Sequence, residues 1–382
     1  MTGGRRAADL GRPTDGPAGR PRVWITGIGV ISPIGTGVAA FRSGLRAGRS
    51  PVRRIDRFDP SPFRSRVAAQ VDDFDPIAYM DPRTARQLDR FSQFGLVAGR
   101  LALADAALAP GRVGGRGANG GRVGDGTLAA ERTGIYLGSV LGGIAYAEEQ
   151  HERYLERGIR AVSPTLALAV FGGAAPANLG IDLGVRGPIL STANSCASGS
   201  VAIGEALDAI RSGQVDAAIA GGVEVPLSPL AFGAFDIIRA LSAGRNDAPE
   251  AAARPFDEGR DGFVMGEGGA LLVLERAVEA ERRGAVPYAE ILGYGASSDA
   301  HHMVQPRPDG IESARAATIA LRDGGVTPDE IDYVNAHASS TPIGDLAEAR
   351  ALGLALGRRQ TAPRTSAALS PPNPNEVDST RR

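Results

Sequence analysis

The sequence predicts an α/β fold with a parallel sheet, and three observations carry that prediction. Residues 188 to 222 read as strand, loop, helix, strand. Short β-type runs elsewhere end at glycine-rich turns. The chain has 382 residues of which 43% are hydrophobic, enough for one large core or two packed halves.

From the N-terminus, residues 1 to 21 are rich in Gly, Pro and Arg and predict a mobile tail. Val23 to Thr26 is a short strand, followed by the turn-like run Gly27-Ile28-Gly29. Residues 84 to 109 predict a helix, with Leu88, Phe91, Phe94, Leu96, Val97, Leu101 and Leu103 as its apolar positions. Residues 110 to 126 form a glycine-rich surface loop with nothing to pack a core. Thr133 to Leu137 is a buried strand ending at Gly138-Ser139. Pro188 to Leu190 closes a strand, and a turn with Ser191, Thr192, Asn194 and Ser195 follows. A helix over Cys196 to Ser212 carries Val201, Ile203, Leu207 and Ile210 at helical spacing, with Gly213 as its stop. Val215 to Ala220 is the next strand, closed by Gly221-Gly222. Ala270 to Leu274, Ala289 to Tyr294 and Ile331 to Val334 predict further strands, and residues 312 to 324 and 344 to 356 predict helices. From 358 to 382 large apolar residues almost vanish, and no strand or amphipathic helix is legible.

Composition excludes several classes. The net charge is -1 and charged residues make up 22%, so nothing global points to nucleic acid. All the basic side chains are arginine; the sequence has no lysine. One cysteine cannot form an internal disulfide, which fits a reducing compartment. Arg5 and Arg6 have no apolar stretch behind them, so no secretory signal is expected. No run of ~18 apolar residues predicts a membrane span. A cytoplasmic enzyme is the expectation, with no metal site and no bound cofactor.

Cys196 stands where a strand-to-loop segment meets a helix N-terminus. Unpaired N–H groups and the helix dipole both favour the reactive thiolate there. Ala197, Ser198, Gly199 and Ser200 are small and let a thioester approach the backbone, and the Cys196 N–H is able to donate to an oxyanion. The plain alternative is a buried cysteine that fills space. His337, in Asn335-Ala336-His337-Ala338-Ser339-Ser340-Thr341-Pro342, follows a strand and suits hydrogen bonding to a carbonyl; read alone, it is more readily a structural histidine in a turn. His301 and His302 in a loop, and His151 beside Glu148, Glu149 and Glu152, read as surface.

With these residues in view, STANSCASGSVAIGEALDAIRSGQVDAAIAGGVE resembles the nucleophile segment of beta-ketoacyl-[acyl-carrier-protein] synthases. VWITGIGVISPIG, RPFDEGRDGFVMGEGGALLVLE at 254 to 275 and YVNAHASSTPIGDLAEA at 333 to 349 agree with that family in order and spacing. The resemblance covers about residues 22 to 357. It implies the thiolase-like fold, two similar α/β halves in layers, with 22 to 275 as the N-terminal half and 276 to 357 as a C-terminal half left incomplete before a non-family tail at 358 to 382.

The resemblance further implies a decarboxylative condensation. Cys196 takes an acyl group from the phosphopantetheine of an acyl carrier protein, and a malonyl thioester loses carbon dioxide and attacks it. His337 matches the first of two family histidines, which hydrogen-bond the malonyl thioester carbonyl. Ser339 and Thr341 match hydroxyls that hold the phosphopantetheine arm. The family usually has Gly and Thr where this chain has Ala338 and Ser339. Leu141 matches an acyl-pocket position, and Phe235 sits near the family's entrance. Arg83, Arg86 and Arg239 are candidates for docking the acidic carrier protein, against the reading of a solvated basic face. Asp345 and Glu348 match acidic positions that orient neighbours. The implied assembly is a homodimer, or a heterodimer with a partner synthase subunit.

The sequence departs from the family in one region. The family's lysine, its second histidine in a Gly-His pair and its Gly-Phe-Gly-Gly loop have no counterpart after Gly357. A frameshift or truncation is one explanation: Ser370 to Pro374 has an encoding that reads Ser-Thr-Lys-Ser two bases later. Acyl transfer to Cys196 is then expected to survive better than decarboxylation. The competing functions are a catalytically silent partner subunit, against which Cys196 argues, a dinucleotide-binding oxidoreductase, whose full glycine spacing is missing, and a thiolase using coenzyme A, whose motifs fit less well.

Overall fold

The computed structural model describes residues 19–108 and 128–357, together with the backbone of 122–123 and 364–367. Its centre is a seven-stranded sheet. The strands are β1 (Val23–Ser32), β2 (Thr133–Gly138), β3 (Ile189–Thr192), β4 (Ala217–Glu224), β5 (Gly268–Arg276) and β6 (Ala289–Glu290), in the order β6-β1-β5-β4-β2-β3. Gly35–Thr36 pairs with β1 as the seventh. The expected parallel unit is present: β3 and β4 both run parallel to β2. The sheet as a whole is mixed rather than parallel, because β5 is antiparallel to both β4 and β1.

Helices cover both faces. On one side lie α1 (Arg90–Asp105) and α2 (Ala174–Leu183); on the other lies α3 (Ser198–Arg211). Successive strand residues point to opposite faces, and β2 shows the consequence. Ile135 and Leu137 join Phe91, Phe94, Leu103, Leu179 and Leu183 in one core cluster. Tyr136 joins Ala202, Ala206, Leu207 and Ile210 in the other. A strand buried on both faces reads as a continuous apolar run, which is why β2 was legible.

The glycines after Thr26 do not end the first strand, which continues to Ser32. They let α1 lie directly on it: a Cβ on Gly27 would stand 2.2 Å from the Ala102 carbonyl oxygen, and one on Gly29 1.9 Å from that of Ala98. The helix expected over 84 to 109 is broken at Leu88, giving Pro82–Gln87 and then α1. Each piece starts at an aspartate cap: Asp81 accepts the N–H of Arg83 and Thr84, and Asp89 that of Ser92. Gly213, at φ 76°, follows the end of α3 as expected.

The C-terminal segment is thinner. The run Ala289 to Tyr294 is a strand only at Ala289–Glu290, and Gly293 and Gly295 then pass so close to α5 (Ile311–Gly324) that a Cβ would meet its carbonyl oxygens at 2.3 and 2.2 Å. α5 packs on α6 (Pro342–Leu356), and β7 (Tyr333–Ala336) lies one step later than the expected 331 to 334. The expectation that no strand follows 358 is corrected: the backbone of β8 (Arg364–Ala367) pairs parallel to β7. Main-chain pairing needs no apolar side chain, so composition did not reveal it. The expected glycine-rich loop at 110 to 126, most of the expected tail at 1 to 21, and most of 358 to 382 lie outside the described residues. Arg20 and Arg22, at the tail's end, are anchored: Arg20 donates to Asp323 at 2.8 Å and Arg22 to Glu290 at 2.9 Å.

Candidate active site

The nucleophile loop begins where β3 ends. Ser195 takes a left-handed φ of 52°, and one 3-10 turn over Ser195–Ala197 holds Cys196 just ahead of α3. The expected helix start at Cys196 is therefore a tighter turn, with α3 itself opening at Ser198. Ser198 fixes this turn: its Oγ donates to the Ser195 carbonyl at 2.6 Å and accepts the Asn194 N–H at 2.8 Å. The Thr192 hydroxyl donates to the Ser198 carbonyl at 2.9 Å. The helix end is pressed onto the sheet through glycines: a Cβ on Gly138 would lie 2.2 Å from the Ser198 carbonyl carbon, and one on Gly222 would lie 3.2 Å from the Gly199 Cα. Cys196 is a free, exposed thiol rather than a space-filling core residue.

His337 arrives from the other part of the chain, immediately after β7. Glu348, one turn inside α6, accepts the backbone N–H of His337 at 2.6 Å and that of Ala338 at 2.8 Å. Hydrogen bonding between the His337 imidazole and the Cys196 thiol holds the thiol below its ordinary pKa, against burial and the charge of Glu224. The same contact raises the imidazole above its ordinary value, helped by Glu348 and Asp345 and opposed by burial. The pair therefore leans toward thiolate and imidazolium, the form in which a cysteine attacks.

Beside the imidazole, Ser339 and Thr341 share a hydrogen bond of 2.9 Å, and the Thr341 Oγ1 caps α6 by accepting the Gly344 N–H. Asp345 is 1% exposed. It accepts the Ser340 N–H at 3.0 Å and the Phe256 N–H at 2.7 Å, and it lies 3.4 Å from the Arg260 guanidinium. Ala338 and Ser340 adopt φ values of 49° and 65°, and Phe256 62°. Such residues are costly in the left-handed region and gather where surrounding bonds hold them. The methyl of Ala338 is accommodated there, 7% exposed.

The sequence matches the description "Beta-ketoacyl synthase, N-terminal domain" over residues 20–280 and "Beta-ketoacyl synthase, C-terminal domain" over 288–372. The chain belongs to the beta-ketoacyl synthase family. It is 40% identical over 331 residues to a 3-oxoacyl-[acyl-carrier-protein] synthase 2 of Staphylococcus aureus, covering 87% of this chain and 76% of the relative. With the enzyme of that name from Vibrio cholerae it is 40% identical over 340 residues, 89% of this chain and 78% of that one. Among solved structures it resembles the ishigamide ketosynthase/chain length factor at 36% identity and TM-score 0.80, covering 92% and 81% of the two chains. A beta-ketoacyl synthase from Burkholderia phymatum aligns at 35% identity and TM-score 0.78, covering 91% and 80%. The thiolase-like fold and a condensing acyltransferase of fatty acid or polyketide synthesis follow.

Within this synthase, the remaining predicted positions lie on several elements at different depths. Leu141 lies half-buried in the turn after β2, a turn tied to the nucleophile loop by the Ser139 N–H donating to the Thr192 carbonyl at 3.0 Å. Phe235, on α4 (Pro229–Ile237), packs edge-on against Phe263 with centroids 5.6 Å apart. Arg83 and Arg86 are exposed on Pro82–Gln87, and Arg239 is exposed after α4, a separate element. His302 closes a turn by accepting the N–H of Val304 and Gln305 at 3.1 Å each, and exposed His151 stacks on Tyr154.

The sequence reading missed two parts of the site. The segment 254–262 buttresses the histidine loop: Arg254 N–H donates to Ser340 Oγ at 3.0 Å and Gly262 N–H to the Ser340 carbonyl at 3.1 Å. Glu224, directly after the glycine pair of β4, was passed over; a carboxylate ending an apolar strand was its only signal. Among the described residues no cluster of three or more His, Cys, Asp or Glu is placed to hold a metal, and no helix is long and apolar enough to cross a membrane.

Proposed function

We propose that this synthase works as an elongating condensing enzyme with Cys196 as its acyl carrier. The observation that carries the proposal is the free thiol of Cys196, held in the turn ahead of α3 and in contact with His337. The thiolate attacks the thioester of an acyl-loaded carrier protein, forming an acyl-cysteine and releasing the phosphopantetheine thiol. A malonyl thioester then loses carbon dioxide, and its enolate attacks the acyl carbonyl. The new carbon–carbon bond gives a beta-ketoacyl thioester two carbons longer and returns the Cys196 thiolate. His337 donates to the malonyl thioester oxygen as enolate charge develops. Ser339 and Thr341 bind the phosphopantetheine arm, with Asp345 holding the backbone N–H of Ser340 between them and Glu348 those of His337 and Ala338. Leu141 and Phe235 line the acyl path, and Arg83, Arg86 and Arg239 meet the acidic carrier.

A carrier protein as partner is supported by a solved relative described as a type II PKS acyl-carrier protein in complex with its ketosynthase, 29% identical to this chain. Pairing with a second synthase chain is supported by β3, which ends the sheet and leaves Leu190, Phe171 and Ile181 exposed at 47%, 50% and 70%. An exposed edge beside apolar side chains suits another copy or a chain-length-factor type of partner. In this sequence no lysine occurs and no histidine follows His337.

The test is intact mass of the purified protein after incubation with an acyl-carrier-protein thioester. An adduct of one acyl group, lost in Cys196→Ala, is the expected result. A folded protein that takes no acyl group overturns the reading and leaves a silent partner subunit in its place.

A further inference from the structure

Glu224 has no part in the chemistry above, yet it joins three pieces of the site. It ends β4, and its two carboxylate oxygens face the turn that follows β2. Oε2 accepts the Val140 N–H at 2.6 Å, while Oε1 accepts the Leu141 N–H at 3.2 Å and the Ser139 hydroxyl at 3.3 Å. Ser139 Oγ also accepts the Gly142 N–H at 3.1 Å. The Ser139 N–H is bound to Thr192, four residues before the nucleophile. A single carboxylate thus holds both the Leu141 turn and, through Ser139, the start of the cysteine loop.

The arrangement requires an acceptor-only group. The Val140 and Leu141 N–H donors each meet a different oxygen, so an amide in place of the carboxylate would set an NH2 against one of them. Burial holds the Glu224 carboxyl above its usual range, the three hydrogen bonds pulling the other way. The charged groups acting on the Cys196 thiol are the His337 imidazole, which favours the thiolate, and the Glu224 carboxylate, which opposes it.

We propose that Glu224 is a positioning residue: its carboxylate fixes the Leu141 turn and, through Ser139, the start of the cysteine loop, so selecting the acyl chain that Cys196 accepts. The proposal rests on the condensing reading given above.

The relative rate of Cys196 loading from short- and long-chain acyl-carrier thioesters tests it on Glu224→Gln, Glu224→Asp and Ser139→Ala, with alkylation of Cys196 by iodoacetamide as the control that needs no carrier protein. The ratio of short- to long-chain loading is expected to change severalfold in all three, while a merely destabilising change would lower both rates together. An unchanged ratio in the folded variants overturns the proposal. Should Glu224→Gln not fold, Glu224→Asp and Ser139→Ala decide by the same ratio. A wild-type protein that is alkylated at Cys196 yet loaded from neither thioester would fail the condensing reading instead.

Discussion

The two residues of the reactive pair come from regions built in different ways. Cys196 grows out of a sheet covered on both faces, where Ile135, Leu137, Leu179, Ala206, Ile210 and Val273 are fully buried. His337 stands immediately after β7, and the buried residues of that strand, its loop and the flanking helices are small or polar: Ala314, Gly324, Ala336, Ala338, Ser340, Asp345, Ala347 and Ala351. Its large apolar side chains are exposed instead, Tyr333 at 52%, Ile343 at 46%, Leu346 at 47% and Leu354 at 58%. Apolar burial is the main stabilising term in a fold, so the cysteine side is held by packing and the histidine side largely by polar bonds through Asp345 and Glu348. The difference teaches that the nucleophile and its activator need not share one stability: opening of the second region would separate the pair without melting the first.

The largest effect should come from striking the packed side. Gly138→Ala places a methyl 2.2 Å from the Ser198 carbonyl carbon, and overpacking of this kind against backbone costs about 3 kcal/mol or more. Urea unfolding should show that loss, and acyl loading of Cys196 should fall with it. A variant as stable and as readily acylated as wild type would mean that the helix end is not pinned there.

Next in size is the link between the regions. His337→Ala removes the group that depresses the Cys196 pKa. A thiol freed of that contact ionises at higher pH, so the alkylation profile should move upward and the rate at neutral pH should drop. In the wild-type protein the thiolate is lost as pH falls through the lowered thiol pKa, and the imidazolium is lost as pH rises through the raised imidazole pKa. An unshifted profile in a folded His337→Ala protein would break the pair.

A smaller effect is expected from the polar side. Glu348→Gln replaces one of the oxygens that accept the His337 and Ala338 N–H groups. An unsatisfied donor of this type costs about 1–3 kcal/mol. Hydrogen exchange should speed up at 333–348 while α3 and β2 stay protected; equal acceleration in both regions would show that they open together. The smallest change concerns the surface. Arg83→Ala and Arg239→Ala should weaken carrier loading by about fivefold at most, with the deficit vanishing at high salt, since exposed charge contacts contribute about 0–1 kcal/mol.

Legibility followed the same division. The unit from β3 through α3 to β4 could be read because apolar period and punctuating residues agreed, and Cys196 stood where that unit turns. The break at Leu88 was concealed by an apolar run that continues through it, the caps being single aspartates. Gly27 and Gly29 read as a turn although they serve contact, because sequence does not say which face a glycine turns to a helix. β8 was invisible since its pairing is main-chain only. Asp345 and Glu348 were found through the family resemblance, whereas Glu224 carries no local signal beyond its charge.

By itself the sequence determined the α/β class and the family, and it singled out Cys196 and the strand-end His337 as candidates, because those depend on local periodicity and on motifs contiguous in the chain. Only the tertiary structure decided that the sheet is mixed, that Cys196 sits in a 3-10 turn, and that residues 254–262 brace the histidine loop. It also decided that Glu224 grips the Leu141 turn. The last two rest on contacts between residues far apart in the chain, such as Glu224 to Val140 and Arg254 to Ser340. Their energy depends on distance in space, and spacing along the chain carries no record of it.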